Sequence, residues 1–374
     1  MRRPMDMRGR LSALPLRRLV AAACVVASSA ALGGCGSSAS GGPTSPPNTT
    51  PTSITTASVP TSSTTPGGVS SSTAESDPPS TTTVGTSSST TTTPALPGTG
   101  RPSVVIGDKN FTEQFLLGEL YYQALLAQGY DVSLTQNIGA TSVSLQAIAA
   151  HTLDIYPEYL NVILSQFAHD PSSFKHLRGA YRAAQTWAAT HRLSLLPPTP
   201  FSDTAGLGVT SSYAFAHNLV TLYGLRRVAP SMTVGVPPIP EFQTTGLPAL
   251  EQVYGFLPAG VQTVNIGAQY SALSAGEIQA AFVNTTDGQL SNPAYTVLSD
   301  PHHALGYGNV VPIVSSAVLL AEGPVFAKTI ERIDSLLTMA VIRRLNAQVD
   351  LGLAPPATVA RRFLEQNHLI PQGV

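Results

Sequence analysis

Ser103-Val-Val-Ile-Gly-Asp-Lys-Asn-Phe-Thr-Glu-Gln114 opens the stretch of this 374-residue chain that decides its fold, and Leu153-Asp-Ile-Tyr-Pro-Glu-Tyr159 closes it. The β-branched run Ser103–Ile106 predicts a short strand that ends at Gly107. From Phe115 to Leu125, apolar residues recur at helical spacing. The pattern therefore predicts a strand, a turn and a helix.

The next fifty residues extend this pattern into a βαβαβ unit. Asp131–Thr135 alternates like a strand, Thr141–Ala150 favours a helix, and Leu153–Tyr156 favours another strand. Crossover helices make such strands parallel, and ligands bind at the loops that follow their carboxyl ends. We expect Lys109 in the first such loop and Tyr156–Tyr159 in a later one.

Three segments in order carry a specific resemblance. Gly107-Asp-Lys-Asn-Phe-Thr-Glu-Gln114, Asn137-Ile-Gly-Ala-Thr141 and Asp154-Ile-Tyr-Pro-Glu-Tyr159 resemble the amino-terminal lobe of substrate-binding proteins of osmoprotectant ABC importers. That family takes glycine betaine, choline and proline betaine. The resemblance spans Arg101–Pro371 and implies an α/β, two-lobed periplasmic-binding-protein clamshell in which the chain crosses twice between lobes.

The resemblance also sets expected lobe boundaries. With crossings near Asp203 and Tyr307, residues 101–203 plus 308–374 form the first lobe and residues 204–307 the second. A second alternation of strands and helices agrees with two lobes, and its predicted segments are Leu207–Thr210, Tyr213–Tyr223, Met232–Val236, Pro248–Tyr254, Val261–Ile266, Tyr270–Ala275 and Ile278–Asn284. Asn-Ile-Gly-Ala occurs at 137 and again at 265. The chain is expected to close with helices at about 323–337, 340–348 and 356–367.

The first 34 residues are predicted to be a lipoprotein signal peptide. A basic region precedes a short apolar run that ends in the lipobox Leu32-Gly-Gly-Cys35, and this run is too short to span a membrane. Cys35 is therefore the expected lipidation site; a plain signal peptide with an incidental Cys35 is the alternative. Arg17-Arg18 leaves both the general secretory and the twin-arginine export routes open. Cys24 is the only other cysteine, so the mature chain has no disulfide.

Residues 35–100 are predicted to be a disordered tether. They are almost entirely Ser, Thr, Pro and Gly, a composition that buries too little apolar surface to offset the entropy of ordering. Fully extended, about 65 residues reach roughly 200 Å. From Arg101 onward, 14 Lys and Arg stand against 18 Asp and Glu, and no basic face indicates a nucleic-acid partner.

The family resemblance assigns roles to three residues. Quaternary ammonium ligands of the family are held by a cage of tyrosine rings, and their carboxylates by Lys, Arg and Thr. Lys109 matches the family's lysine and Tyr159 its first cage tyrosine. Asp203 matches a residue that offers a backbone carbonyl near the cation.

Other positions depart from the family pattern. Ala205, Asn284 and Gly308 stand where the family has tyrosines, Val162 stands for a threonine, and Gln243 for an arginine. The expected lining of the cleft is therefore Lys109, Tyr159, Asp203, Gln243 and Asn284.

The missing rings bear on the ligand. Each ring around a cation contributes roughly 0.5 to 2 kcal/mol, so three lost rings weaken binding by tens to thousands of fold. Unless Tyr156, Tyr213, Tyr270 or Tyr307 fills the gaps, this predicts a small polar or zwitterionic solute other than a trimethylammonium compound.

Each of these residues also has an ordinary structural interpretation. Lys109 could be a solvated lysine before a helix, and Tyr156 and Tyr159 could pack under a loop fixed by Pro157. Asn284 and Asp287 are typical turn formers. Asn110 and Glu113 are spaced as a capping box for the helix that follows.

No motif indicates an enzyme, a cofactor or a metal site. The chain has no nucleophile elbow or phosphate loop, and His302-His303 suits a surface loop better than a zinc site. We expect an extracytoplasmic solute-binding lipoprotein, held by a lipid on the outer face of the cytoplasmic membrane. It would deliver a solute to the permease and ATPase subunits of an ABC importer. The alternative is a clamshell lipoprotein with changed specificity that senses or scavenges.

Overall fold

The structure is a computed structural model that describes residues 95–170, 174–239 and 241–372. The predicted signal peptide, Cys35 and the linker up to residue 94 lie outside these residues. None of the helices described is both long and apolar enough to span a membrane.

The described residues form two five-stranded sheets, each flanked by helices. The strands are β1 (Val104–Gly107), β2 (Val132–Thr135), β3 (Ile155–Tyr159), β4 (Leu193–Leu195), β5 (Ala205–Thr210), β6 (Thr233–Val236), β7 (Gly260–Thr263), β8 (Ala280–Asn284), β9 (Tyr295–Val297) and β10 (Val310–Ser315). The first sheet has the order β2-β1-β3-β10-β4 and the second β7-β6-β8-β5-β9. This confirms the two-lobed α/β fold; below, the first and second lobes are named after these sheets.

The helices in chain order are α1 (Thr112–Ala127), α2 (Thr141–Ala149), α3 (Leu160–Val162), α4 (Leu177–Thr190), α5 (Ser211–Ala216), α6 (Leu225–Val228), α7 (Leu247–Tyr254), α8 (Gln269–Ala275), α9 (Ser316–Glu322), α10 (Pro324–Leu336), α11 (Met339–Asp350) and α12 (Pro356–Gln366). A π-helical turn at Ile163–Phe167 continues α3, and another at Glu241–Gly246 precedes α7. The helix predicted over 213–223 is shorter than expected: α5 ends at Ala216, and the chain turns at Asn218, whose φ is +50°.

The predicted βαβαβ unit is confirmed. β1 pairs in parallel with both β2 and β3. The chain therefore adds β2 on one side of β1 and β3 on the other, so the strand order reverses at β1. In the second sheet β6 pairs in parallel with β7 and β8 in the same arrangement. Ligand sites of open α/β sheets lie at such reversals, beyond the carboxyl ends of the strands.

The repeated tetrapeptide occupies equivalent places in the two lobes. Asn137-Ile-Gly-Ala lies between β2 and α2, and Asn265-Ile-Gly-Ala lies between β7 and α8. Gly139 and Gly267 both have positive φ, 111° and 88°, a conformation that glycine adopts without a steric penalty. The repeat therefore marks the same turn in two sheets of the same topology.

Pro157 is not in a loop, as the sequence suggested, but within β3. It lies opposite Pro312 of the antiparallel neighbour β10, so two residues without a backbone N–H face each other. Hydrogen-bonded and non-hydrogen-bonded pairs alternate along an antiparallel ladder. Leu160–Asn309 is a hydrogen-bonded pair, so Pro157–Pro312, three positions along, is a non-hydrogen-bonded pair in which neither residue would donate to the other. The strand thus continues to Tyr159.

The two crossings lie side by side. The chain leaves the first sheet after β4 and enters the second at β5, and it returns between β9 and β10. The Asp203 backbone N–H donates to the Gly308 carbonyl at 2.8 Å, and the Gly308 N–H donates to Ser202 Oγ at 2.9 Å. Thr285 Oγ1 joins them by donating to the Ser202 carbonyl and accepting from the Thr204 N–H.

The last residues of the predicted tether belong to the folded part. Pro97–Gly100 forms a turn in which the Gly98 N–H donates to the Gln128 carbonyl at 3.0 Å. The folded first lobe therefore includes a few residues that composition alone assigned to the linker.

Asp334 is a buried carboxyl in the core of the first lobe. Its Oδ1 accepts a hydrogen bond from the Tyr121 hydroxyl at 2.8 Å, whereas Oδ2 has no partner among the described residues. Burial raises the pKa of Asp334 to about 8. The folded protein therefore holds this proton over a pH range in which the unfolded chain releases it.

We expect this group to make stability fall as pH rises. Its stabilising effect is complete below the unfolded pKa of 3.8 and is lost as pH rises towards the folded value of about 8. Between pH 5 and 7 the wild type should lose about 3 kcal/mol of unfolding free energy relative to Asp334→Asn, because each pH unit in this window removes about 1.4 kcal/mol. Urea denaturation at several pH values measures this, with the exposed Asp131→Asn as control. Parallel pH curves for wild type and Asp334→Asn would contradict it.

Candidate solute-binding site

The candidate site lies where loops from both lobes meet beside the crossings. The first lobe contributes the loop after β1, the start of α1 and the end of β3. The second lobe contributes residues that follow β8, and α11 packs against this segment from the first lobe. The candidate site thus lies at the carboxyl ends of parallel strands β1 and β3.

Lys109 is buried and paired. Its Nζ lies 2.5 Å from Glu158 Oε1 and 3.5 Å from Thr141 Oγ1, and the Lys109 and Glu158 side chains are 4% and 0% exposed. Glu158 Oε1 also accepts from the Tyr159 N–H at 2.7 Å. The interpretation of Lys109 as a solvated lysine is therefore wrong, and its charge is already neutralised within the protein.

The Lys109 ammonium also lies over aromatic rings. Its Nζ is 4.9 Å from the centre of the Tyr159 ring and 5.9 Å from that of Phe111, and the two rings stack with centroids 6.1 Å apart. Phe111 was not predicted as part of the site. One face of the first cage tyrosine is thus in contact with a cation that belongs to the chain.

Glu113 does not form the predicted capping box. The residue that caps α1 is Phe111, without a side-chain hydrogen bond, and Glu113 turns inward instead. Its Oε1 accepts from the Tyr159 hydroxyl and its Oε2 from Asn346 Nδ2, both at 2.8 Å. Burial raises the pKa of Glu113, and these hydrogen bonds oppose the rise.

α11 links the two lobes. Asn346 Nδ2 donates to the Thr286 carbonyl at 3.0 Å as well as to Glu113, and Arg343 Nε donates to the Thr285 carbonyl at 2.7 Å. Asn346 and Arg343 are one helical turn apart and lie on the same face of α11. Side chains of one helix therefore hold the loop that follows β8.

Asp203 places a carboxyl group beside this network. Its Oδ1 is buried and has no hydrogen-bond partner among the described residues. Burial, together with the charges of Glu113 and Asp287, raises the pKa of Asp203 well above its usual range. The resemblance assigned only the backbone carbonyl of Asp203 to a ligand, whereas its side chain also belongs to the site.

Asn284 and Asp287 form a turn at the end of β8. Asp287 Oδ2 accepts from the Asn284 N–H at 3.3 Å and from the Tyr270 hydroxyl at 2.7 Å, and the Asp287 N–H donates to the Asn284 carbonyl. The turn-forming role weighed from the sequence is therefore present. It holds Asn284 at the edge of the site, half-buried.

Gln243 lies apart from the other four predicted residues. Its side chain is exposed on the π-helical turn Glu241–Gly246, and it makes no hydrogen bond with any of them in the described part of the chain. Its role in a site stays a prediction.

The three positions that lack cage tyrosines lie around the crossings. Ala205 and Asn284 are register partners on β5 and β8, and Gly308 lies against Asp203. A Cβ at position 308 would be 1.6 Å from the Asp203 carbonyl oxygen, so no ring can project from it in this backbone.

Among the four tyrosines considered as replacements, only Tyr270 has a hydroxyl bonded to a site residue, Asp287. Tyr156 and Tyr307 are buried in the cluster beneath the first sheet, and Tyr213 follows the far end of β5. Tyr156, Tyr213 and Tyr307 therefore do not fill the gaps at 205, 284 and 308, and Tyr270 is the one of the four rings that lies at the edge of the site.

Comparisons with known proteins agree with this architecture. A family model for the substrate-binding domain of ABC-type glycine betaine transport systems matches residues 102–366. The glycine-betaine-binding protein of Pseudomonas aeruginosa is 30% identical over 279 residues, which cover 72% of this chain and 89% of that protein. The glycine betaine-binding protein YehZ of Escherichia coli is 28% identical over 287 residues, 73% of this chain and 93% of that protein.

A solved structure agrees at the level of the fold. The crystal structure of a glycine betaine/carnitine/choline ABC transporter protein superposes with a TM-score of 0.66 at 20% identity, covering 71% of this chain and 99% of that one. Substrate-binding proteins of ABC importers act outside the cytoplasm, as the sequence predicted for this chain. The chain belongs to the family of substrate-binding domains of ABC-type glycine betaine transport systems.

Proposed function

We propose that this chain is the lipid-anchored solute receptor of an ABC importer and that it binds a small zwitterionic solute between its lobes. The observation that carries the proposal is the network Tyr159–Glu113–Asn346–Thr286, which joins the end of β3 to the segment after β8. A solute that contacts both ends of such a network favours closure of the lobes, because it binds the closed state more tightly.

In the proposed pose, the two charged ends of the solute face charged side chains on opposite sides of Tyr159. Lys109 retains donor capacity beyond Glu158, since an ammonium has three N–H groups, and it would hold the carboxylate of the solute. Asp203 lies on the Glu113 side and would face the cationic end. Asn284 is proposed as a polar contact, and Gln243 as a contact made from the second lobe. The protein carries out no chemistry on the solute.

The membrane attachment and the lobe boundaries are proposed from the leader sequence and from the two crossings. Cys35 carries the lipid after removal of residues 1–34, residues 35–100 tether the domain, and the lobes comprise 101–203 plus 308–374 and 204–307. A permease and an ATPase supply transport and ATP hydrolysis. Retention of Cys35→Ser in the membrane fraction would contradict the anchor.

The test of the binding proposal is calorimetric titration of the chain with betaines, choline, carnitine, amino acids and sugars. We expect micromolar binding of at least one zwitterion, and at least a fivefold weaker Kd in Asn284→Ala, since a lost polar contact costs about 1 kcal/mol. Gln243→Ala likewise removes a side-chain amide, and its effect on Kd decides whether this exposed residue contacts the solute. Wild-type affinity in Asn284→Ala would remove that residue from the site.

A further inference from the structure

The site contains buried acceptors that lack donors. Asp203 Oδ1 and Asn346 Oδ1 have no hydrogen-bond partner among the described residues, and Asn346 is only 3% exposed. The orientation of the Asn346 amide is fixed, because its Nδ2 donates to Glu113 Oε2 and to the Thr286 carbonyl. Among the described residues of the same region, Gln114 Nε2 is a buried donor without a hydrogen-bond partner, and Glu158 Oε2 is a further buried acceptor without one. The site therefore has more free acceptors than free donors.

The charges around these acceptors have the same sign. Glu113 and Asp287 face Asp203 from α1 and from the turn after β8, and the negative charge of each raises the pKa of Asp203. Both cations of this region in the described residues already have partners: Lys109 pairs with Glu158, and Arg343 donates to the Thr285 carbonyl and lies close enough to Asp287 to interact with its charge. Buried polar groups without partners are costly, so a ligand that supplies both donors and positive charge is favoured here.

A trimethylated cation does not meet these requirements. It has no N–H to donate to Asp203 Oδ1, and it depends on ring faces that Ala205, Asn284 and Gly308 do not provide. One face of Tyr159 is covered by the Lys109 ammonium. The chemistry of this site differs in this respect from a cage built for quaternary amines.

We propose that the solute is an organic cation that donates N–H hydrogen bonds, such as the primary or secondary ammonium of an amino-acid-like zwitterion, and that Asp203 accepts them. This rests on the proposed function, since it names the class of solute for the same site. Asn346 Oδ1 is a second acceptor for the same group.

Matched pairs of ligands test this directly. The full-length chain is titrated with glycine and glycine betaine, proline and proline betaine, and γ-aminobutyrate and its trimethyl derivative. In every pair that binds, the N–H member should bind at least tenfold more tightly, because a hydrogen bond to a charged group is lost on full methylation. Tighter binding of the trimethylated members would overturn the inference and leave the proposed function standing.

Asp203→Asn supplies the matched variant. It keeps the backbone bond to Gly308 and should weaken binding of the N–H member at least tenfold more than binding of the trimethylated member, which loses only the attraction of the charge. Asp131→Asn removes the same charge at an exposed position and should change neither. Equal losses for both members in Asp203→Asn would overturn the role of its carboxylate. If the variant does not fold, the wild-type pairs still decide.

A proton count provides an independent readout. Because a bound cation favours the ionised carboxylate, binding of the N–H member should release protons, seen as a calorimetric enthalpy that depends on the buffer's ionisation enthalpy. The groups that face Asp203 are Glu113, Asp287, the Tyr159 hydroxyl and Thr286, whose side chain and backbone favour the ionised carboxylate by hydrogen bonding. Proton uptake on binding would contradict the assignment. Silence of every ligand pair with a folded chain would overturn the proposed function and this inference with it.

Discussion

Replacement of Gly308 by alanine is expected to destabilise the protein by at least about 3 kcal/mol and to abolish solute binding. A Cβ at this position would lie 1.6 Å from the Asp203 carbonyl oxygen and 2.3 Å from its carbonyl carbon. These are backbone atoms of the other crossing, so no side-chain rotation relieves the overlap. The crossings would have to separate, and with them the Asp203 N–H bond to the Gly308 carbonyl would be lost.

Urea denaturation and titration of the same preparation measure the two effects. The control is Gly179→Ala in α4, where the nearest atom to the added Cβ is a Phe174 ring carbon at 3.6 Å. There the substitution should be neutral or stabilising by up to about 1 kcal/mol, since alanine is the better helix former. Wild-type stability in Gly308→Ala would show that the crossings are able to separate without cost.

The absence of a side chain at 308 also connects the fold with specificity. The resemblance places a cage tyrosine at this position, and the close approach of the two crossings leaves no space for one. The same close approach brings Asp203 beside Glu113 and Asp287. Loss of a ring and concentration of carboxyl groups are therefore two consequences of one backbone arrangement.

The sequence predicted the elements that local pattern controls. Ser103–Ile106 and the apolar spacing after Phe115 gave the first strand and helix, and the strand–helix alternation gave two lobes of the same topology. It did not predict Pro157 within β3, because a proline normally excludes a central strand. The proline is tolerated because it occupies a non-hydrogen-bonded position opposite Pro312, which is 155 positions away in the chain.

The site was harder to predict for a related reason. Glu113 fits a capping box by spacing, but its partner Asn346 is 233 residues distant and offers a buried hydrogen bond. A capping box would satisfy a helix end that solvent also satisfies. A buried carboxyl and amide depend on partners inside the protein, which here are each other, the Tyr159 hydroxyl and the Thr286 carbonyl. Phe111 gave no signal, since a single aromatic beside a helix start is common. Lys109 and Tyr159 were predicted for the site because the family motif includes them.

Glu158→Gln is expected to cost about 3 to 5 kcal/mol of unfolding free energy, because it leaves the buried Lys109 ammonium without a counter-charge. Glutamine still accepts through Oε1 from Lys109 Nζ and from the Tyr159 N–H, so the effect reports charge more than lost hydrogen bonds. Chemical denaturation measures it. Arg361→Gln breaks an exposed pair with Glu365 and should change stability by less than about 1 kcal/mol.

The double variant Lys109→Met with Glu158→Gln separates the structural role of the pair from its role in binding. Removal of both charges should recover much of the stability, because two buried ions are then no longer desolvated. The affinity for a zwitterion should remain at least tenfold weaker than in the wild type, since the ammonium that holds the solute's carboxylate is gone. If the double variant regains both stability and affinity, Lys109 serves the fold alone, and the carboxylate of the solute must be held by another group.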